Sequence, residues 1–296
     1  MHRLIVVWLI VVWLIVVWLV ASLTGVATAG AAPLTIVAAE NFYGDIARQI
    51  GGGAVAVTSI LSNPDQDPHE FEASPSTARA FAAARLVVYN GAGYDPWALK
   101  LLAASSSASR QTVIVATLVH KKAGDNPHLW YEPGTMPVLA ATLAERFAKL
   151  DPAHRADYVR RLASFRGSIK PLDDAIAALR RKYAGTAVAA TEPVFGYMAA
   201  ALGLDMRDRR FQLAVMNDTE PSAADIAEFE KDLRSRTVKV LIYNSQTSEA
   251  LTRRMRMIAI AAGVPVIGVS ETEPRGKDYQ EWMLSQLQAL DRALAH

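Results

Sequence analysis

No cysteine occurs in the 296 residues. That excludes disulfides, thiolate metal centres and cysteine nucleophiles, together with lipid attachment at an N-terminal cysteine. Any metal this chain holds must sit on nitrogen and oxygen donors. An excess of one charge is missing too: 31 Lys and Arg stand against 29 Asp and Glu, for a net charge of +2. So small a balance gives no basic field for nucleic acid. Beyond the N-terminus no apolar run is long enough to cross a bilayer. No Gly-x-Ser-x-Gly elbow and no His-Glu-x-x-His occurs, so the commonest hydrolase signatures are absent. What remains is an ordinary folded composition, 51% hydrophobic and 20% charged.

The N-terminus has its own character. His2 and Arg3 precede an unbroken apolar stretch from Leu4 to Ala21, in which Leu-Ile-Val-Val-Trp recurs and spaces Trp8, Trp13 and Trp18 evenly. Ala27-Thr28-Ala29 then offers a small-x-small exit. This is the layout of an export signal. Residues 1–29 are expected to be a cleaved signal peptide, with the remainder working in the periplasm. The apolar stretch is also long enough to stay as an uncleaved anchor.

From Leu34 short β-type runs alternate with helical patterns: Leu34–Ala39, a helix around Tyr43–Ile50, Val55–Leu61, a helix over Ala73–Ala84, then Leu86–Asn90 and Thr112–Ala116. Such alternation predicts a parallel sheet with helices on both faces. The middle differs. Tyr158, Leu162, Phe165, Ile169, Leu172, Ile176, Leu179 and Tyr183 recur at spacings of four and three, one stripe on a long helix over His154–Tyr183. Pro171 inside it predicts a kink or a break. The alternation then resumes with strands Ala187–Thr191, Val238–Tyr243 and Val264–Val269, and helices Ser222–Arg234 and Ser248–Ala262. The fold class expected is therefore α/β: two lobes with mostly parallel sheets flanked by helices, joined by one long rigid helix.

The chain has six histidines. Two occupy matching contexts, Asp67-Pro68-His69-Glu70 and Asn126-Pro127-His128-Leu129-Trp130, each in a loop after a predicted strand. In open α/β sheets such loops form the ligand crevice. Proline fixes the backbone before each imidazole, and a neutral imidazole is a good ligand for first-row metals. The second half offers carboxylates in equivalent places, Glu192 in Thr191-Glu192-Pro193 and Glu271 in Ser270-Glu271-Thr272-Glu273-Pro274. His120, His154 and His296 read as surface residues. Asp95-Pro96-Trp97 reads as a helix opening with Asp95 as its cap.

These segments, with Thr191-Glu192-Pro193-Val194-Phe195-Gly196-Tyr197 and Glu220-Pro221-Ser222, stand in an order that resembles the zinc- and manganese-binding solute-receptor family of bacterial ABC importers. The resemblance covers roughly Leu34 to Leu290. It implies a metal held between two lobes and handed to a membrane permease. By that resemblance His69 and His128 are ligands from the first lobe, and Glu192 matches a position that is His in many zinc receptors and Glu in many manganese receptors. Glu271 matches the final carboxylate, with Glu273 as the alternative if the loop is offset. The implied division is residues 30–135 as the N-terminal metal-binding lobe, 136–184 as the helical connection and 185–296 as the C-terminal metal-binding lobe.

Two departures stand out. The histidine-rich insertion of many zinc receptors is replaced by His120-Lys121-Lys122-Ala123-Gly124-Asp125, and Tyr131-Glu132 follows Trp130 where an aliphatic residue and Asp are usual. Two imidazoles with two carboxylates favour Mn2+, whereas raw affinity favours Zn2+; Fe2+ comes third. The chain is expected to act as a monomer and not as an enzyme. The competing readings are a metal-dependent hydrolase and a receptor for a non-metal solute or chelate, the latter with Tyr94, Trp97 and Trp130 lining an apolar pocket.

Overall fold

Two four-stranded parallel sheets carry the molecule, and they share one strand order. The computed structural model describes residues 32–247 and 249–295, together with Trp8 and Trp13. The chain divides into Met1–Ala32 and Pro33–His296, and the second unit holds everything that follows. The signal-peptide reading and His296 lie outside the described residues. Among the described residues no helix is long and apolar enough to cross a membrane.

The first sheet contains β1 (Leu34–Glu40), β2 (Val55–Leu61), β3 (Leu86–Tyr89) and β4 (Gln111–Ile114), ordered β2-β1-β3-β4. The second contains β5 (Ala187–Ala190), β6 (Asp205–Met206), β7 (Leu241–Asn244) and β8 (Val266–Val269), ordered β6-β5-β7-β8. Every pairing is parallel. β3 is buried throughout, as a strand covered on both faces should be. The equivalent order means that the ends of β1 and β5, of β3 and β7, and of β4 and β8 correspond between the lobes.

Helices α1 (Asn41–Gly51), α2 (Pro75–Ala83), α3 (Pro96–Ala104) and the single turn α4 (Val115–Leu118) serve the first sheet. Ser74 caps α2 by accepting the Thr77 amide at 3.2 Å, with Pro75 in the first turn where its missing N–H costs nothing. The strand expected to reach Ala116 stops at Ile114, because the Asn90 carbonyl takes the Ala116 amide at 2.8 Å and turns the chain into α4. Helices α5 (Thr135–Leu150) and α6 (Arg155–Tyr183) follow. The second sheet carries α7 (Gly196–Ala201), α8 (Arg209–Met216), α9 (Ala223–Arg234), α10 (Ala250–Ala262) and the closing α11 (Tyr279–Leu294). Ser222 caps α9 through the Asp225 amide at 3.1 Å, as the Glu220-Pro221-Ser222 entry predicts.

Helix α6 runs unbroken for 29 residues, about 43 Å at 1.5 Å per residue. The expectation of a break at Pro171 is corrected. Pro171 lies on the exposed face, and Gly167, whose carbonyl the proline leaves unbonded, is exposed too. Water can satisfy that carbonyl, and glycine offers no side chain to the proline ring. The buried stripe Tyr158, Phe165, Ile169, Leu172, Ile176 and Leu179 faces inward, and α6 packs on α5, α1 and α11. One apolar core includes Ile36 and Val88 of the first sheet, this stripe, and Val188 and Ile242 of the second. Each fully buried large side chain there contributes about 1.5–3 kcal/mol. The two sheets are therefore joined by a continuous packed interior as well as by α6.

Candidate metal centre

His69, His128 and Glu271 each bring one ligand atom to a common place, with all three atoms within 4.8 Å of one another. Different elements deliver them. His69 sits in a 3-10 turn (Pro68–Glu70) after β2, held by its backbone amide donating to Asp67 Oδ1 at 2.8 Å. His128 lies in the loop after α4, ahead of the 3-10 turn Leu129–Tyr131. Glu271 follows β8 in the second sheet. His69 Nε2 is 3.4 Å and His128 Nε2 is 3.3 Å from Glu271 Oε2. Thus both Pro-His loops and the carboxylate opposite them converge, as the strand-end rule predicts.

The lone pairs of this cluster face inward. His128 Nδ1 hydrogen-bonds Asn126 Oδ1 at 2.6 Å. In a metal-loaded site the proton would sit on Nδ1, and Nε2 would offer its lone pair to the cation. His128 Nε2 and Glu271 Oε2 are both buried and hydrogen-bond to nothing among the described residues. Burial alone would push the Glu271 carboxyl up, but the His128 and His69 imidazoles outweigh it and hold the group well below the usual carboxylate range. Burial pulls the His69 imidazole down, yet its contact with Glu271 raises it to about 9. Buried polar atoms with open lone pairs are costly unless something else satisfies them, and a divalent cation is what such a donor set suits.

Glu192, the remaining predicted ligand, stands beside this trio and is not part of the compact group. Its Oε1 accepts from Thr247 Oγ1 at 2.8 Å and its Oε2 from Asn244 Nδ2 at 3.1 Å. Burial, then the charge of Glu271, pushes its carboxyl up to about 7. The same Asn244 amide donates to Glu271 Oε1 at 2.6 Å, so one side chain ties the two carboxylates together. Glu273, the offset alternative, points elsewhere: its backbone pairs with the Asn41 side chain, and its carboxyl is buried near Asp45 and raised to about 9. The register thus brings Glu271 to the histidines.

An aromatic wall backs the cluster. Tyr94 stands edge-on to His69 at 5.4 Å and to His128 at 6.2 Å between ring centroids, and Trp130 lies 5.3 Å from His128. A wall of low polarity strengthens every charge interaction in front of it. Trp97 does not join it; its ring packs on Phe71 and Phe81. Tyr131, a departure with no evident role in the sequence, donates to the Ser270 carbonyl at 2.8 Å, and Tyr279 donates back to the Trp130 carbonyl at 2.7 Å. The loops bearing His128 and Glu271 are thereby pinned to one another. The Asp95 expectation is corrected: its carboxylate makes no cap to α3 but accepts the Asn90 and Gly91 amides at 2.7 and 2.9 Å. Burial, then Asp95, raises the adjacent Glu40 carboxyl well above its usual range. His154 pairs with Asp151 at 2.5 Å on the partly exposed start of α6, and His120 is exposed; neither approaches the cluster.

Asn244, Thr247 and Gln246 were missed in the sequence. Gln246 Oε1 accepts the Glu271 and Thr272 amides at 2.6 and 3.0 Å, while its Nε2 donates across to the Gln66 carbonyl at 2.7 Å. Asn244-Ser245-Gln246-Thr247 after a buried strand was the available signal.

Residues 36–293 match the family described as zinc-uptake complex component A, periplasmic. The chain belongs to that family. It is 24% identical to the manganese ABC transporter substrate-binding lipoprotein of Streptococcus pneumoniae, over 84% of this chain and 83% of that one. It is 22% identical to the iron ABC transporter substrate-binding lipoprotein of Streptococcus pyogenes, over 93% of each. In fold it resembles the periplasmic zinc binding protein from Treponema pallidum, with a TM-score of 0.76, 19% identity, and coverage of 90% of this chain and all of that one.

Proposed function

We propose that this member of the zinc-uptake component family is an extracytoplasmic receptor that captures a divalent transition metal between its lobes and delivers it to an ABC permease. The observation that carries the reading is the convergence of His69 Nε2, His128 Nε2 and Glu271 Oε2, the last two buried and without a hydrogen-bond partner among the described residues. His69, His128 and Glu271 form the primary ligand set in this reading, with Glu192 reaching in as the further carboxylate. Relatives named for manganese, iron and zinc frame the cargo. Two carboxylates beside two imidazoles favour Mn2+ over Zn2+ in hardness and charge, with Fe2+ third.

The chain in this reading is a monomeric carrier and not an enzyme. Donors closing in from separate strand ends suit capture better than turnover, which needs an open position for water or substrate. Its charge of +2 argues against a nucleic-acid partner. The division we propose is residues 1–29 as export signal, 30–135 and 185–296 as the metal-binding lobes, and 136–184 as the helical connection. The experiment is elemental analysis of the protein isolated from its own extracytoplasmic space without added metal. Stoichiometric Mn or Zn supports the reading. Protein that carries no metal and takes up neither ion from solution overturns it.

A further inference from the structure

We infer that Gln246 is a positioning residue that latches the loop of His69 to the loop of Glu271 across the two lobes, so that bound metal leaves only when the bond from Gln246 to Gln66 opens. This role presupposes the receptor reading above.

His69 rides on a lightly tethered segment. Residues 63–71 are largely exposed, with Pro68 the buried exception. Their own hydrogen bonds are local: the Asp65 amide donates to Asn63 Oδ1 at 3.2 Å, the Gln66 amide to the Asn63 carbonyl at 3.3 Å, the His69 amide to Asp67 Oδ1 at 2.8 Å and the Phe71 amide to the Pro68 carbonyl at 3.3 Å. Apart from the approach of His69 to Glu271, one hydrogen bond among the described residues ties the segment to the rest of the chain. Gln246 Nε2 of the second lobe donates to the Gln66 carbonyl at 2.7 Å. Exposed segments with few outside bonds are the ones that open first, so this single bond has the most to hold.

Gln246 is firmly fixed at its own end. Its backbone amide donates to Asn244 Oδ1 at 3.0 Å. Its Oε1 accepts the Glu271 and Thr272 amides at 2.6 and 3.0 Å. Two donors on Oε1 decide which way the side-chain amide faces. Nε2 therefore has its two hydrogens for Thr272 Oγ1, at 3.1 Å, and for the Gln66 carbonyl. One planar group thus holds the backbone of Glu271 with its oxygen and the loop of His69 with its nitrogen. Gln66 and Gln246 also line the opening that leads to His69, so the bond spans its rim.

The consequence is kinetic. Among the described residues Gln246 hydrogen-bonds to no ligand side chain, so it treats different metals alike. It carries no charge, so it adds nothing to the field that draws a cation in. It acts on the step in which His69 swings away with its loop, and differences of that kind appear in dissociation. The net worth of one neutral hydrogen bond corresponds to about twofold to tenfold in rate.

The test compares wild type with Gln246→Met, which keeps the length of the side chain without the amide. Stopped flow gives the association rates of Mn2+ and Zn2+, chelator competition gives their dissociation rates, and hydrogen exchange is followed on the metal-loaded proteins. Gln246→Met should release both ions about two to ten times faster, with association unchanged. Amides of residues 63–71 should exchange faster while those of β7 keep the wild-type rate. A merely structural role would loosen β7 as well and change association together with dissociation. Dissociation at the wild-type rate overturns the proposal. Faster dissociation with unchanged exchange at residues 63–71 overturns it too, because the effect would then run through Glu271 alone. Either result leaves the receptor reading standing. If Gln246→Met does not fold, Gln246→Asn, one methylene short of reaching across, decides by the same measurements. A wild-type protein that binds neither ion overturns the receptor reading itself, and this one with it.

Discussion

His128 Nε2 and Glu271 Oε2 face each other at 3.3 Å, buried, neither in a hydrogen bond among the described residues. They come from opposite sheets, so whatever binds between them also clamps the two lobes. A cation bound only by the folded chain stabilises it by mass action. Mn2+ or Zn2+ at about 100 times its dissociation constant should add about 2.7 kcal/mol, or roughly 5–10 °C in melting temperature for a chain of this size. Chelation should reverse the rise, and His69→Ala should abolish it. Melting curves that ignore both chelator and substitution would show that the site has been misplaced.

With His69 as a ligand, as proposed, its proton would compete with the metal. Contact with Glu271 raises this imidazole to about 9 from its ordinary 6.5. In the metal-free protein the raised His69 therefore contributes stability that is full below pH 6.5 and lost as pH rises through about 9, while the lowered Glu271 makes the pair's contribution fall away in acid, below the ordinary carboxylate range. Metal affinity runs the opposite way, because the metal must displace that proton. Affinity should climb about tenfold per pH unit up to pH ~9. Below about 7 the slope should steepen, since Glu192, raised to about 7, then carries a second proton. Calorimetry in buffers of different ionisation enthalpy counts the protons released. Binding with no proton release at pH 7 would contradict the geometry.

Pro171 sits on the exposed face of an unbroken α6, where it removes one intrahelical hydrogen bond without being repaid by packing. Alanine at this position restores the bond to the Gly167 carbonyl. Pro171→Ala should stabilise the protein by about 1–3 kcal/mol, the upper end being the full helix-interior penalty. Equilibrium denaturation reads this directly, and a loss of stability would mean the proline has an unseen packing role.

Much of this arrangement was legible in the residues. The alternation of buried runs with helical stripes gave both sheets, because parallel strands covered on both faces must be apolar throughout. The Pro-His loops were legible because proline next to imidazole at a strand end is an uncommon combination with a mechanical reason. Asn244 was not, because an asparagine after a strand resembles any turn residue until the neighbouring strands are ordered. The strand β6, Asp205–Met206, was invisible because two residues carry no periodicity. Pro171 misled because proline's cost depends on which face it occupies, which a stripe of apolar residues does report: Pro171 adjoins the stripe residue Leu172 yet lies outside the stripe.

The access route carries its own charge. An opening of about 600 Å3 leads to His69, lined by Asp65, Asp67, Glu70, Asp218 and Glu249 with no Lys or Arg. His69 is the exposed member of the cluster, its side chain 39% accessible against 1% for His128 and none for Glu271. A cation entering through this opening would meet His69 first, under the field of these carboxylates. Fields of one sign raise the local concentration of the opposite ion and its rate of entry, and salt screens them over about 8 Å at 0.15 M. Association of Mn2+ followed by stopped flow should slow severalfold between low and physiological salt. The double variant Asp65→Asn, Glu249→Gln should lower the association rate and flatten its salt dependence. Its dissociation rate should stay unchanged, because neither residue is part of the ligand cluster. An association rate indifferent to both salt and these substitutions would place the entrance elsewhere.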